Sequence, residues 1–181
     1  VQQTAEKFRS LPPKILPPKN GKTKVLYVAQ REVGFVSPNK FDFIGSAEAT
    51  TCHIVILRSQ TGRASVTHFD GSDQQIGGNN CQFEKIVNKF NEQEQQNGID
   101  VYVAGGFDDE KHSSVELCNS LLEAMQKSRV LFNLALACVV SLNSRRRRDD
   151  VVEPIVRGMC LECKTGNVYP AKFIDTGPGF P

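Results

Sequence analysis

The chain has 181 residues, enough for one domain with a core of its own. Hydrophobic residues make up 39% and charged residues 23%, and the net charge is +2. That balance is ordinary for a globular protein and too near neutral to point to nucleic acid, and no apolar run approaches the roughly 18 to 20 residues that a membrane helix needs. The six cysteines are spread through apolar patterns, and no secretory pattern opens the chain. They are expected to be reduced thiols of a cytoplasmic, and also nuclear, protein. A monomer is expected.

Residues 1–23 are expected to form an extended surface segment, because LPPKILPPKNGK carries four prolines and several lysines. A folded domain is expected over 24–181. A strand is predicted over 24–30 from its alternating apolar residues, and CHIVILR, 52–58, and RASVTHF, 63–69, read as a second and a third. SQTG, ending in Gly62, reads as the turn of a hairpin between the last two. Phe83, Ile86, Val87 and Phe90 recur at helical spacing and predict one helix over about 81–96. IDVYVAGG, 99–106, reads as a strand ending in a glycine pair. Ser113 and Glu116 fit a capping box, opening a helix whose apolar face holds Leu117, Leu121, Leu122 and Met125. Residues 130–142 read as a buried strand. A final hairpin is predicted, with strands near 155–163 and 168–174, and Pro170 puts its last strand on a sheet edge. Together these predict an α+β fold with a mostly antiparallel sheet core and two good helices.

The chemistry concentrates in ATTCHIVILRSQTGRASVTHFDG, 49–71. Alternation along a strand puts Cys52, Ile54 and Ile56 on one face and His53 on the other. A turn centred on Gln60 pairs Cys52 with His68. A three-residue loop, Gln60–Gly62, pairs it with Asp70 and makes His68 the diagonal neighbour. Either register puts His68 on the face of Cys52. A free thiol is only about 3% thiolate at pH 7, so a nucleophilic cysteine needs a neighbouring imidazole, which can then protonate an amine leaving group. The same pattern also fits a buried cysteine beside a structural histidine.

The motifs LYVAQRE (26–32), GSAEATTCHIVILR (45–58), THFDG (67–71) and VAGGFDD (103–109) resemble the protein N-terminal asparagine amidohydrolases. The likeness runs from about Leu26 to the end. It implies an enzyme that deamidates N-terminal asparagine to aspartate, creating a residue that arginylation extends and so feeding ubiquitin-dependent N-degron degradation. It also implies that Cys52, in the TTC motif, is the nucleophile. Members start before Val1 and continue past Pro181, so the chain is expected to be truncated at both ends. A more distant likeness is to bacterial chemotaxis-receptor glutamine deamidases, which use a cysteine, a following histidine and a preceding hydroxyl residue. Their layered β-sandwich with flanking helices implies an α-β-β arrangement, and their order suits Ser46, Cys52 and His68. Thr50 and Thr51 also bring hydroxyls close.

The implied reaction is attack by Cys52 on the side-chain amide, with His68 protonating the departing ammonia. Backbone N–H groups of Thr51 and Cys52, or the hydroxyls of Thr50 and Thr51, would hold the oxyanion. Glu32, Glu48 and Asp70 are candidates to bind the substrate ammonium, with Asp70 favoured by its place beside Cys52. No metal or organic cofactor is called for. The partners are proteins or peptides with a free N-terminal asparagine. Alternatives are a thiol amidase acting on another amide, such as glutamine, and a non-enzymatic module binding N-termini or nucleic acid. Cys160 and Cys163 form a lone CxxC, too few ligands for a zinc site. Arg145–Arg148, followed by two aspartates, reads as a solvated loop. His112 reads as solvent-facing.

Overall fold

Short apolar runs assemble into two five-stranded sheets in a computed structural model that describes residues 1–18, 21–72, 76 and 81–177. The first sheet runs in the order β1 (Lys14–Leu16), β12 (Val168–Phe173), β11 (Met159–Glu162), β4 (Phe43–Ser46), β2 (Val25–Tyr27). The second runs β3 (Val33–Val36), β6 (Ala64–Phe69), β5 (His53–Ser59), β7 (Ile99–Gly105), β8 (Phe132–Val139). Most neighbours are antiparallel; β1–β12, β2–β4 and β7–β8 are parallel. A separate hairpin joins β9 (Ser144–Arg146) to β10 (Val152–Pro154).

Strand parity decides the layers. Ile54 and Ile56 of β5 pack with Val66 of β6 against Ile44, Met159 and Leu161 of the first sheet. Val55 and Leu57, from the opposite face, pack on the helices α2 (Gln82–Val87) and α4 (Ser113–Lys127) through Phe83, Ile86, Leu117 and Leu121. The order is therefore helices, sheet, sheet: an α+β fold with two cores sharing the second sheet. Both cores are needed because β5 is apolar on both faces.

Several expectations are corrected. Residues 1–23 are not an extended segment. Gln2–Ser10 form helix α1, whose Ala5 and Phe8 are buried in the inter-sheet core. The Arg9 guanidinium donates to the Leu142 carbonyl at 2.8 Å. The prolines begin only at residue 12, so nothing before them opposes a helix whose i, i+3 apolar pair has a core to enter. Past the first proline pair, β1 pairs with β12. That pairing also moves the last strand off the edge: β12 lies between β1 and β11, and Pro170 sits opposite Met159.

The helix expected over 81–96 is two, α2 and α3 (Glu92–Asn97). Asn91 breaks it, because its side chain accepts the Glu94 N–H while the Glu94 carboxylate accepts the Asn91 N–H, both at 2.9 Å. Helix α4 starts where expected, but without the Ser113–Glu116 box. The Asp109 carboxylate accepts the N–H groups of Ser113 and Ser114 instead. Leu122 turns outward, 41% exposed. Strand β3 has no counterpart in the sequence reading, and β8 is a half-buried edge strand ending in a 3-10 turn, Val140–Asn143. Among the described residues no helix is long and apolar enough to cross a membrane.

Candidate active site

The β5–β6 hairpin closes by a three-residue loop. The Ser59 N–H bonds the Arg63 carbonyl at 2.9 Å, the Gly62 N–H bonds the Ser59 carbonyl at 3.0 Å, and Gly62 takes a left-handed φ of +85°. His53 then faces Phe69 and Ile54 faces His68. One step further the register brings Cys52 opposite Asp70, leaving His68 as the diagonal neighbour. Cys52 ends the loop that crosses from β4 in one sheet to β5 in the other, and it belongs to the inter-sheet core. That loop is held midway, where the Ala49 N–H bonds the Arg157 carbonyl at 2.9 Å.

His68 joins the two sheets. It projects from β6 to Ser46 at the end of β4, with its Nδ1 2.8 Å from the Ser46 Oγ. Ser46 is fully buried, His68 is 2% exposed and Cys52 8%. The His68 Nε2 has no hydrogen-bond partner among the described residues. Burial lowers the His68 pKa to about 4, against the opposing pull of Asp70. Burial raises the Cys52 thiol and Asp70 adds to it, while the cysteine's own N–H and Arg31 oppose. At neutral pH this is a neutral thiol beside a neutral imidazole.

Asp70 is already engaged. Partial burial pushes its carboxyl up, but Arg31, the Ser72 N–H and Gln30 hold it well below the usual range. Arg31 forms an ion pair with it, and Gln30 donates to it at 3.0 Å. Glu32 accepts the Ala29 N–H at 3.0 Å. Glu48 is exposed on the crossing loop, at a left-handed φ of +61°. It lies close enough to Tyr27, as does Glu32, to help raise that phenol, whose shift comes first from burial. Thr50 is exposed and Thr51 half-buried.

His53 points to the helical layer. It is fully buried, and neither ring nitrogen makes a hydrogen bond of normal geometry. Burial lowers its pKa to about 4, with the Thr51 backbone opposing.

The family model for protein N-terminal asparagine amidohydrolase matches residues 17–180. The chain belongs to the protein N-terminal asparagine amidohydrolase family. Curated relatives of that name include the Mus musculus protein, 35% identical over 161 residues, and the Homo sapiens protein, 34% over 164. Each alignment covers 87% of this chain and 51% of the relative. The Arabidopsis thaliana protein of the same name is 28% identical over 167 residues, covering 84% and 47%. The chain thus spans about half the length of the curated relatives it matches.

In this family member, the structure brings Cys52, His68 and Ser46 to one place and sets Arg31 against Asp70. Arg31 and Gln30 lie in the LYVAQRE motif, yet sequence reasoning passed them over. Only the fold shows that the turn after β2 meets the end of β6. The Arg31 N–H bonds the His68 carbonyl there at 3.0 Å. Cys160 and Cys163 are buried core thiols, raised by burial to about 12 and 11. Among the described residues, no three His, Cys, Asp or Glu side chains are grouped to hold a metal. Arg145, Arg146 and Arg147 pair with Glu153, Asp150 and Asp149 of their own hairpin.

Proposed function

We propose that this chain carries the thiol site of a protein N-terminal asparagine amidohydrolase, converting N-terminal asparagine to aspartate with release of ammonia. The observation that carries this reading is the Ser46–His68 bond beside Cys52, in a chain of this family. With the His68 Nδ1–H donated to Ser46, the Nε2 lone pair stays free as a base. As Cys52 sulfur adds to the amide carbon, His68 takes the thiol proton, and the carbonyl electrons move to oxygen. The tetrahedral intermediate collapses, the C–N bond breaks, and His68 returns the proton to the departing ammonia. Water, deprotonated by His68, then hydrolyses the thioester and frees the Cys52 thiol.

A free α-ammonium needs an acidic partner. Asp70, favoured by register, is engaged by Arg31, so Glu48 is the better anchor: it is exposed, on the crossing loop, and in no ion pair among the described residues. The product aspartate suits arginylation, and the reading assigns the protein to the N-degron pathway, as a monomer of the cytoplasm and nucleus. The test is mass spectrometry of an asparagine-initiated peptide. Conversion adds about one dalton, and Cys52→Ala abolishes it while circular dichroism is unchanged, since a lost thiol leaves only a small void. Equal turnover of an acetylated asparagine peptide would favour a general thiol amidase.

A further inference from the structure

The VAGGFDD motif meets Cys52 from behind. Strand β7 ends in Gly105 and Gly106, with φ of +113° and +63°. A Cβ on Gly105 would lie 2.5 Å from the Cys52 carbonyl oxygen, and one on Gly106 would lie 2.6 Å from the His53 ring. No side chain fits at either place. The chain then turns into α4, whose first N–H groups, from Ser113 and Ser114, bond the Asp109 carboxylate at 3.0 and 2.9 Å. Ser114 is fully buried. Its Oγ accepts the Phe107 N–H at 3.2 Å and donates to the Thr51 carbonyl at 3.5 Å.

The Thr51 carbonyl and the Cys52 N–H belong to one peptide unit. The only cis bond among the described residues is Leu16–Pro17, so this peptide is trans and the two groups point in opposite directions. A carbonyl held toward α4 turns the Cys52 N–H toward the inter-sheet side, where the Cys52 side chain packs. That N–H indeed acts on the cysteine's own sulfur. We propose that Ser114 is a positioning residue: by holding the Thr51 carbonyl, it aims the Cys52 N–H at the oxyanion that forms when the thiol adds to a carbonyl. The inference rests on the deamidase reading and names what orients its oxyanion donor. The Gly105–Gly106 pair lets β7 approach closely enough, and Asp109 fixes the helix start that carries Ser114.

The experiment separates addition to a carbonyl from simple thiol reactivity. Propionaldehyde adds reversibly to a thiol, forming the S–C bond and leaving the former carbonyl oxygen as a hydroxyl. Iodoacetamide alkylates sulfur by displacing iodide, with no oxyanion. Cys52 alkylation is followed by peptide mass spectrometry, with and without propionaldehyde, in the wild-type chain and in Ser114→Ala, Ser114→Cys and Ser114→Thr. Ser114→Ala is expected to leave the iodoacetamide rate within about twofold and to weaken aldehyde protection about tenfold, less than the loss of a direct donor. Ser114→Thr, which keeps the hydroxyl, should restore protection. Ser114→Cys, similar in volume but a weaker donor, should fall between and serves if Ser114→Ala does not fold. On an asparagine-initiated peptide, kcat should drop with KM unchanged. Equal protection in all variants, a parallel loss of alkylation and protection, or no protection in the wild-type chain would each overturn the proposal. Aldehyde results as expected, without ammonia release from the peptide, would overturn the deamidase reading alone.

Discussion

In the proposed mechanism His68 and Ser46 have separable roles. His68 moves the proton, so His68→Ala should lower kcat on an asparagine peptide at least about 100-fold. Ser46 only holds the ring and its tautomer, so Ser46→Ala should lose about fivefold, as for a hydrogen bond worth roughly 1 kcal/mol. Steady-state kinetics on both variants decide this, and equal losses would make Ser46 a participant in proton transfer. The acidic candidates are separated similarly. Glu48→Gln should raise KM more than Asp70→Asn, because the Asp70 carboxylate is already neutralised by Arg31. A larger KM effect from Asp70→Asn would mean that Arg31 swings away when the ammonium binds.

At the scale of elements, helix α1 shows how composition misleads. The proline-rich stretch 11–22 coloured the reading of everything before it. Yet Phe8 is 4% exposed and packed between the sheets. Phe8→Ala should therefore destabilise the fold by about 3 kcal/mol or more, measured by urea unfolding. A change within about 0.5 kcal/mol would return α1 to the surface. The β5–β6 hairpin is the contrary case. Gly62 was readable as the turn glycine but the loop length was not: two registers kept His68 on the face of Cys52, and an unbulged four-residue loop would have separated them. The three-residue loop was one of the two.

For the whole molecule, two buried histidines set an acid limit. His53 and His68 titrate at about 4 in the folded chain, and near 6.5 when unfolded. Above pH 6.5 both states hold the rings neutral. As pH falls from 6.5 toward 4, the unfolded chain binds protons that the folded chain refuses, so stability drops. At pH 5 the loss should be roughly 2 kcal/mol per ring by proton linkage, read as a lower urea midpoint than at pH 7. A flat stability over that range would show that the folded rings accept protons. Because His68 stays neutral to about pH 4, the base itself should still function at pH 5, wherever the chain remains folded.

What the sequence determined by itself was local or periodic. The apolar runs of β5 and β6, the turn at Gly62, the start of α4 and the shared face of Cys52 and His68 follow from the strand period and turn chemistry. The family motifs pointed to Cys52 as the nucleophile by resemblance. The partners brought from afar were decided only by tertiary structure. Ser46 meets His68 because the two sheets stack face to face, Arg31 meets Asp70 because β2 and β3 wrap from one sheet to the other, and Ser114 meets Thr51 because α4 packs on β5. The protonation states were decided there too. A histidine in sequence has no desolvation, and its pKa moves only when the fold removes its water. Hydrophobic pattern states which face is buried but not against what, and here the missing term was the second sheet.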